Sequence, residues 1–303
     1  MCIRDRDKDG SIYFTSNDGH LYVLNPAKTN PNMTVEAKNI NVDDSSEIIA
    51  KLPSNAAGNV IFTVNNKNYT VAIERGIAKL NIEGLAFGTY DVVANFAGDI
   101  RYLPSENKTS FNVSKWNSTV ILSVNNIKVG EDAVINIAVP EDVTGLVTVT
   151  IDGKSYTVLI NNGKGSLTLS NLVANSYPIT AKYDGNYKYT EGENTTALTV
   201  AKMSSAVNVT ANNIKFGEEA VINIAVPNVS LGVATVVVNG KSYNVAIVDE
   251  KGVLNIYNLA AGDYNVDVTY LGDNKYLSST NAANFTVSKV SDYNMTVDIA
   301  DIV

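Results

Sequence analysis

Few residues of this chain have the types and spacing that chemistry requires, and each meets a competing structural reading. Asp5-x-Asp7-x-Asp9-Gly10 sets out alternate carboxylates as the first half of a calcium-binding loop does. Where such a loop needs its closing bidentate Glu the chain has Ser16, so a turn is the favoured reading. Gly98-Asp99 and Gly272-Asp273 offer carboxylates that could hold calcium between domains. The intervening equivalent is Gly185-Asn186, and turn chemistry alone accounts for Asp and Asn there. Lys115, Lys202 and Lys289 raise the idea of a Lys–Asn isopeptide cross-link, but an unpaired ammonium is costly to bury and a solvated hinge is the default. His20, the only histidine, has no nucleophile context and reads as a turn residue. Asp43-Asp44, Glu131-Asp132 and Glu218-Glu219 read as solvated turns. No catalytic, cofactor-binding or metal-binding residue is assigned, no cofactor is expected, and the chain is not expected to be an enzyme.

Composition narrows the partners. The chain has 303 residues, room for two to four small domains, and its 45% hydrophobic content favours packed cores over disorder. Acidic residues number 31 against 23 basic, a net charge of −8, so nucleic acid and anionic membrane are not expected partners. A single cysteine, Cys2, rules out an internal disulfide, and no apolar run is long enough to cross a bilayer. No secretory signal is visible at the start.

The elements that would position any site come from a repeat. Gly58, Gly145 and Gly232 are 87 residues apart, as are Pro53, Pro140 and Pro227. The same interval relates Tyr69, Tyr156 and Tyr243; Leu85, Leu172 and Leu259; Tyr90, Tyr177 and Tyr264; and Tyr102, Tyr189 and Tyr276. The expected copies are 30–116, 117–203 and 204–290. Residues 291–303 read as the opening of a fourth, since Met295-Thr296-Val297 parallels Met33-Thr34-Val35, and the chain is expected to end inside that copy.

Within each copy apolar residues alternate with period two, the mark of strands with one buried face. Val60, Phe62 and Val64 form such a row, as do Ile48, Ala50 and Leu52, and Tyr90, Val92, Ala94 and Phe96. Asp152-Gly153 and Asn239-Gly240 supply the positive φ of tight hairpins, with Asn65-Asn66 a weaker version in the first copy. No stretch has a helical period. About seven short strands per copy imply tandem antiparallel β-sandwiches, an all-β fold class, and the resemblance given next implies that they are immunoglobulin-like. Pro178, within a strand expected to be central, implies an irregularity or a solvent-facing stretch.

Leu85-x-x-Gly88-x-Tyr90-x-Val92, Phe96-x-Gly98-Asp99-x-x-Tyr102-x-Pro104-Ser105 and Phe111-x-Val113 resemble the bacterial and archaeal immunoglobulin-like (Big-type) repeats of surface adhesins. The later copies carry Tyr177 and Gly185, then Tyr264, Gly272, Asp273, Tyr276 and Ser278. Within that group, richness in Asn, Tyr and Val resembles the adhesin-like proteins of gut methanogens. Tyr90, Tyr177 and Tyr264 fit the tyrosine-corner arrangement, and Val92, Ile179 and Val266 stand where antibody domains place a disulfide cysteine. Residues 1–29 are a separate β-hairpin piece. Ile12-Tyr13-Phe14-Thr15 and Leu21-Tyr22-Val23-Leu24 within it are similar to one blade edge of a PQQ-like β-propeller, while Met1 to Arg6 resemble neither family.

The resemblance implies a non-catalytic, extracellular stalk or adhesive segment at the cell surface, meeting a surface protein or glycan ligand through repeated weak contacts. Three copies stacked end to end would reach roughly 100 Å at about ten extended residues each. The alternatives are carbohydrate-binding or spacer modules of a secreted enzyme, and an appendage to an upstream propeller. Inward register favours core packing over glycan stacking for the tyrosine sets. Sequons for N-glycosylation occur at Asn32, Asn68, Asn107, Asn112, Asn117, Asn194, Asn208, Asn228, Asn284 and Asn294, against roughly six expected by chance. Asn112 and Asn208 are expected to face outward.

Overall fold

A computed structural model of the chain describes residues 2–6, 11–24 and 27–290. The carboxylate run through Asp7, Asp9 and Gly10, the opening of the fourth copy and the Asn294 sequon lie outside the described residues. Among these, residues up to 120 with 182–193 form one compact body, and residues 121–181 with 194–290 another.

The first body opens with β1 (Cys2–Arg6), β2 (Ile12–Thr15) and β3 (Leu21–Leu24), an antiparallel sheet in that order. The expected hairpin is β2–β3, paired from Ile12↔Leu24 to Thr15↔Leu21. β1 adds a strand that its polar sequence does not announce.

The first copy follows as β4 (Thr34–Ala37), β5 (Ile40–Asn41), β6 (Ser46–Lys51), β7 (Asn59–Val64), β8 (Lys67–Ala72), β9 (Ile77–Ile82), β10 (Gly88–Phe96) and β11 (Ser105–Ser114). They form two sheets, β4-β6-β9 and β5-β11-β10-β7-β8. Ile48, Ala50, Val60, Phe62, Val92 and Ala94, all fully buried, lie between them. Alternation of buried and exposed residues along β6, β7, β9 and β10 sets the face each strand turns inward, as period two requires.

One refinement concerns strand number. The opening strand divides, pairing antiparallel with β6 as β4, then crossing to run parallel to β11 as β5 (Ile40↔Val113), which makes eight strands. A strand that changes sheets leaves a gap in the ladder. The Asn39 side-chain carbonyl fills it, accepting the Asn112 N–H at 2.8 Å. Asn126 does the same for Thr199 at 2.9 Å and Asn213 for Thr286 at 2.8 Å. These three asparagines are thus structural.

The second copy repeats the order as β12 (Ile121–Val124), β13 (Ile127–Lys128), β14 (Ala133–Ala138), β15 (Gly145–Ile151), β16 (Lys154–Ile160), β17 (Lys164–Leu169), β18 (Asn175–Tyr183) and β19 (Gly192–Ala201). Its sheets are β12-β14-β17 and β13-β19-β18-β15-β16. Ile135, Val147, Val149, Ile160, Ile179, Ala181 and Leu198 are fully buried. Pro178 is exposed and β18 runs through it unbroken, so the solvent-facing alternative holds. Its equivalents Asp91 and Asn265 lie one residue before pairing with the neighbouring strand begins, where a missing N–H is tolerated.

The third copy comprises β20 (Asn208–Ala211), β21 (Ile214–Lys215), β22 (Ala220–Ala225), β23 (Leu231–Val238), β24 (Lys241–Val248), β25 (Lys251–Ile256), β26 (Gly262–Tyr270) and β27 (Ser279–Ser288). Its two layers join at one corner through a single pair, Val248↔Lys251, across the turn at Asp249-Glu250. Its core holds Ile222, Ile224, Val226, Val236, Val266 and Tyr270.

The hairpins β7–β8, β15–β16 and β23–β24 turn at Asn65-Asn66, Asp152-Gly153 and Asn239-Gly240, all with positive φ, the mirror-image geometry that matches strand twist.

Candidate functional site

The residues most suggestive of chemistry gather where one copy hands over to the next. After the sixth long strand of each copy the chain turns at Gly98-Asp99, Gly185-Asn186 or Gly272-Asp273. The glycines have φ of 83°, 79° and 80°. A Cβ on Gly98 would lie 2.8 Å from the Tyr102 carbonyl oxygen, so the turn admits only glycine.

The following side chain is consumed by backbone. Asp99 Oδ1 accepts the N–H of Arg101 and of Tyr102, both at 2.7 Å, while Oδ2 accepts that of Ala57 at 2.9 Å. Asn186 Oδ1 accepts from Lys188 at 2.9 Å and Tyr189 at 2.7 Å. Asp273 Oδ1 accepts from Lys275 at 2.7 Å and Tyr276 at 2.6 Å. Burial pushes the Asp99 carboxyl up, but the N–H groups of Ala57, Arg101 and Tyr102 and the Arg101 guanidinium hold it below its ordinary value. Asp273 is likewise held low: burial opposes, and the Tyr276 and Lys275 N–H groups, the Tyr270 phenol and the Lys202 ammonium prevail. These are turn-locking roles.

Each turn also receives the incoming chain. Thr29, Trp116 and Met203, one residue before the expected starts of the copies, form parallel bridges with Tyr102, Tyr189 and Tyr276. Two backbone bonds fasten each bridge; Trp116 N–H donates to Lys188 at 2.9 Å and its carbonyl accepts from Thr190 at 2.9 Å. The Lys115 ammonium donates to the Asn186 backbone carbonyl, and that of Lys202 to the Asp273 carbonyl. Lys115 is half-buried, Lys202 and Lys289 exposed, and Lys115 and Lys202 cap the turns they reach.

The paired acids form a second recurrent turn. Asp44 Oδ2 accepts the Asn41 N–H at 3.2 Å, and Glu131 and Glu218 accept those of Lys128 and Lys215 at 2.7 Å. His20 is exposed in the β2–β3 turn, its backbone N–H bonded to Asp18 Oδ1 at 3.1 Å. The Tyr22 hydroxyl donates to Asp18 at 2.8 Å.

Tyrosines pack as core and corner residues. The hydroxyls of Tyr90, Tyr177 and Tyr264 donate to the carbonyls of Ala86, Val173 and Ala260, each at 3.0 Å, completing three tyrosine corners. Tyr90 stacks on Phe111 and Tyr264 on Phe285. Burial and the facing Asp273 carboxylate push the Tyr270 phenol up to about 12, although its oxygen meets no partner at hydrogen-bond geometry among the described residues.

Sequence reasoning missed a further set, the clamp asparagines. Asn107 Nδ2 donates to the Met33 carbonyl and Asn281 Nδ2 to that of Val207, both at 2.8 Å. Their signal was the 87-residue interval itself. The Asn107 sequon therefore has its amide nitrogen committed, whereas Asn112 and Asn208 face outward as expected.

Among the described residues no group of three or more His, Cys, Asp or Glu side chains could hold a metal ion. The concavities are surface grooves, such as one of 300 Å³ over β20, β22 and β25 whose only ionisable lining residue is Lys251. No described helix is long and apolar enough to cross a membrane.

No family model matches the chain, and no curated protein does. Solved structures similar to it include a titin I-band fragment, I67–I69, at 12% identity and a TM-score of 0.34, covering 88% of this chain and 100% of that one. The I9–I11 tandem of titin matches at 13% identity and TM-score 0.29, covering 85% and 100%. Sidekick-1 immunoglobulin domains 1–5 match at 15% and 0.30, covering 94% and 68%.

Proposed function

We propose that the chain is a non-catalytic stalk or adhesive segment of an extracellular, cell-surface protein, built from immunoglobulin-like copies at 30–116, 117–203 and 204–290. The supporting observation is the fate of its polar groups. Side chains that could have been acids, bases or ligands are spent on backbone N–H and carbonyl groups, and the inward faces pack as solid apolar rows. Such a copy offers surface rather than a pocket. Residues 1–29 would be the end of a PQQ-like propeller and 291–303 the start of another copy. A surface protein or glycan would be met by several copies at once, each contact weak and the sum strong. Glycans would be carried at exposed sequons such as Asn68, Asn112 and Asn208.

Antibody raised against the chain tests the location. Labelling of intact source cells is the expected result, and labelling only after lysis overturns it. Solution scattering tests the stalk: an elongated particle is expected, and a compact globule contradicts it.

A further inference from the structure

We propose that the groove on the outer face of β20, β22 and β25 seats the first sugar of a glycan carried on Asn208, which lines it. This rests on the extracellular, glycosylated reading above and adds where the ring lies. Asn208, Val209 and Thr210 form the sequon, and period two puts Asn208 and Thr210 together on the exposed face of β20. Strand pairing sets Thr210 beside Asn223, and Asn223 beside Val253, while Lys251 lies across Ala225 from Asn208. Among the described residues the side chains of Asn208, Thr210, Asn223 and Lys251 exchange no hydrogen bond, unlike Asn213 and Asn281, which are committed to backbone.

The first copy closes the same face. Glu36 stands in place of Thr210 and Lys51 in place of Ala225, ion-paired across it at 2.8 Å, and Ile49 replaces Asn223. The second copy has Ile121 where Asn208 stands, so it lacks the attachment amide. The third joins that amide to a free polar rim. Its 300 Å³ lies at the small end of ligand sites, which run roughly 300–1,000 Å³, and suits one ring. Gly252 and Val253 offer the C–H face of a pyranose an apolar floor, and Thr210, Asn223 and Lys251 offer its hydroxyls partners. Tethering makes the local sugar concentration high, so weak contacts suffice. Transfer forms the bond from Asn208 Nδ2 to the anomeric carbon, breaks that carbon's bond to the phosphate oxygen of an activated glycosyl donor, and releases one amide proton.

The test uses the full chain, secreted from a host that attaches N-acetylglucosamine at such sequons and trimmed enzymatically to the first sugar. An amine-acetylating reagent then labels lysines, read residue by residue by mass spectrometry. Lys164 holds the place of Lys251 in the second copy and is likewise exposed, so it serves as the internal reference. The sugar on Asn208 should slow labelling of Lys251 relative to Lys164 by about fivefold compared with the Asn208→Gln chain. Asn223→Ile, which installs the first copy's residue and keeps the sequon, should restore the Asn208→Gln ratio with the sugar still attached. Equal ratios with and without the sugar overturn the proposal. So does shielding that survives Asn223→Ile, the mark of a mobile sugar, and so does an Asn208 that leaves the host unmodified. None of these outcomes bears on cell-surface location, which antibody labelling decides.

Discussion

Tyr177 donates its phenolic hydrogen to the carbonyl of Val173 at 3.0 Å from a ring only 5% exposed, whereas the corresponding bonds of Tyr90 and Tyr264 lie in exposed surroundings. Removing one hydroxyl leaves a carbonyl unpaired, and the cost depends on whether water can replace it. Tyr177→Phe should cost about 1.5 kcal/mol, and Tyr90→Phe and Tyr264→Phe about 0.5 kcal/mol each. Urea unfolding of the three variants measures the ordering.

Asp99 uses both carboxylate oxygens, Asp273 only Oδ1, for backbone N–H groups. In Asp99→Asn the amide NH2 would face the Ala57 N–H, donor against donor. The loss should be about 2 kcal/mol for Asp99→Asn and about 0.5 kcal/mol for Asp273→Asn, which keeps an acceptor as Asn186 does in the second copy. Denaturant titration distinguishes them.

Alkali should weaken the third copy through Tyr270. Its folded pKa is raised from 10.0 to about 12, so the folded state keeps its proton where the unfolded chain releases it. The stabilisation is complete below pH 10 and is lost as pH rises toward 12. Tyr270→Phe should remove this alkaline slope in melting experiments. Asp99 and Asp273, held low, act at the other end: their contribution is present above the ordinary carboxylate value and is lost as pH falls below it, through their lower folded values.

The Asn65-Asn66 hairpin asks a β-carbon to occupy φ of 61° at its second position, where the other copies have Gly153 and Gly240. Asn66→Gly should raise stability by about 0.5 kcal/mol, and Gly153→Ala should lower it by about 1 kcal/mol. Thermal melts of both variants provide the check.

The strands and their inward faces were readable because burial on one face imposes a period of two on residues such as Val147, Val149 and Ile151. The tyrosine corners were readable because a hydroxyl needs a partner four residues back and the spacing allows it. The two-residue strands β5, β13 and β21 were not, since two residues have no period. Nor were the bridges of Thr29, Trp116 and Met203, which rest on backbone bonds that any side chain permits. Asn39 and Asn107 carry no mark of their roles in the sequence, because an amide that completes a ladder and one that meets water are the same letter. Lys115 and Asp43 likewise acquire partners only once the chain has folded.

The parallel pairing of β5 with β11, Ile40↔Val113 and Asn41↔Ser114, joins the beginning of a copy to its end. Tension applied to the two termini would run along these strands and load their bonds side by side, in shear, before the core is touched. Behind β4, which pairs with β6, the first copy thus carries a pair loaded in shear, and the Asn39 bond to Asn112 adds one more rung to it.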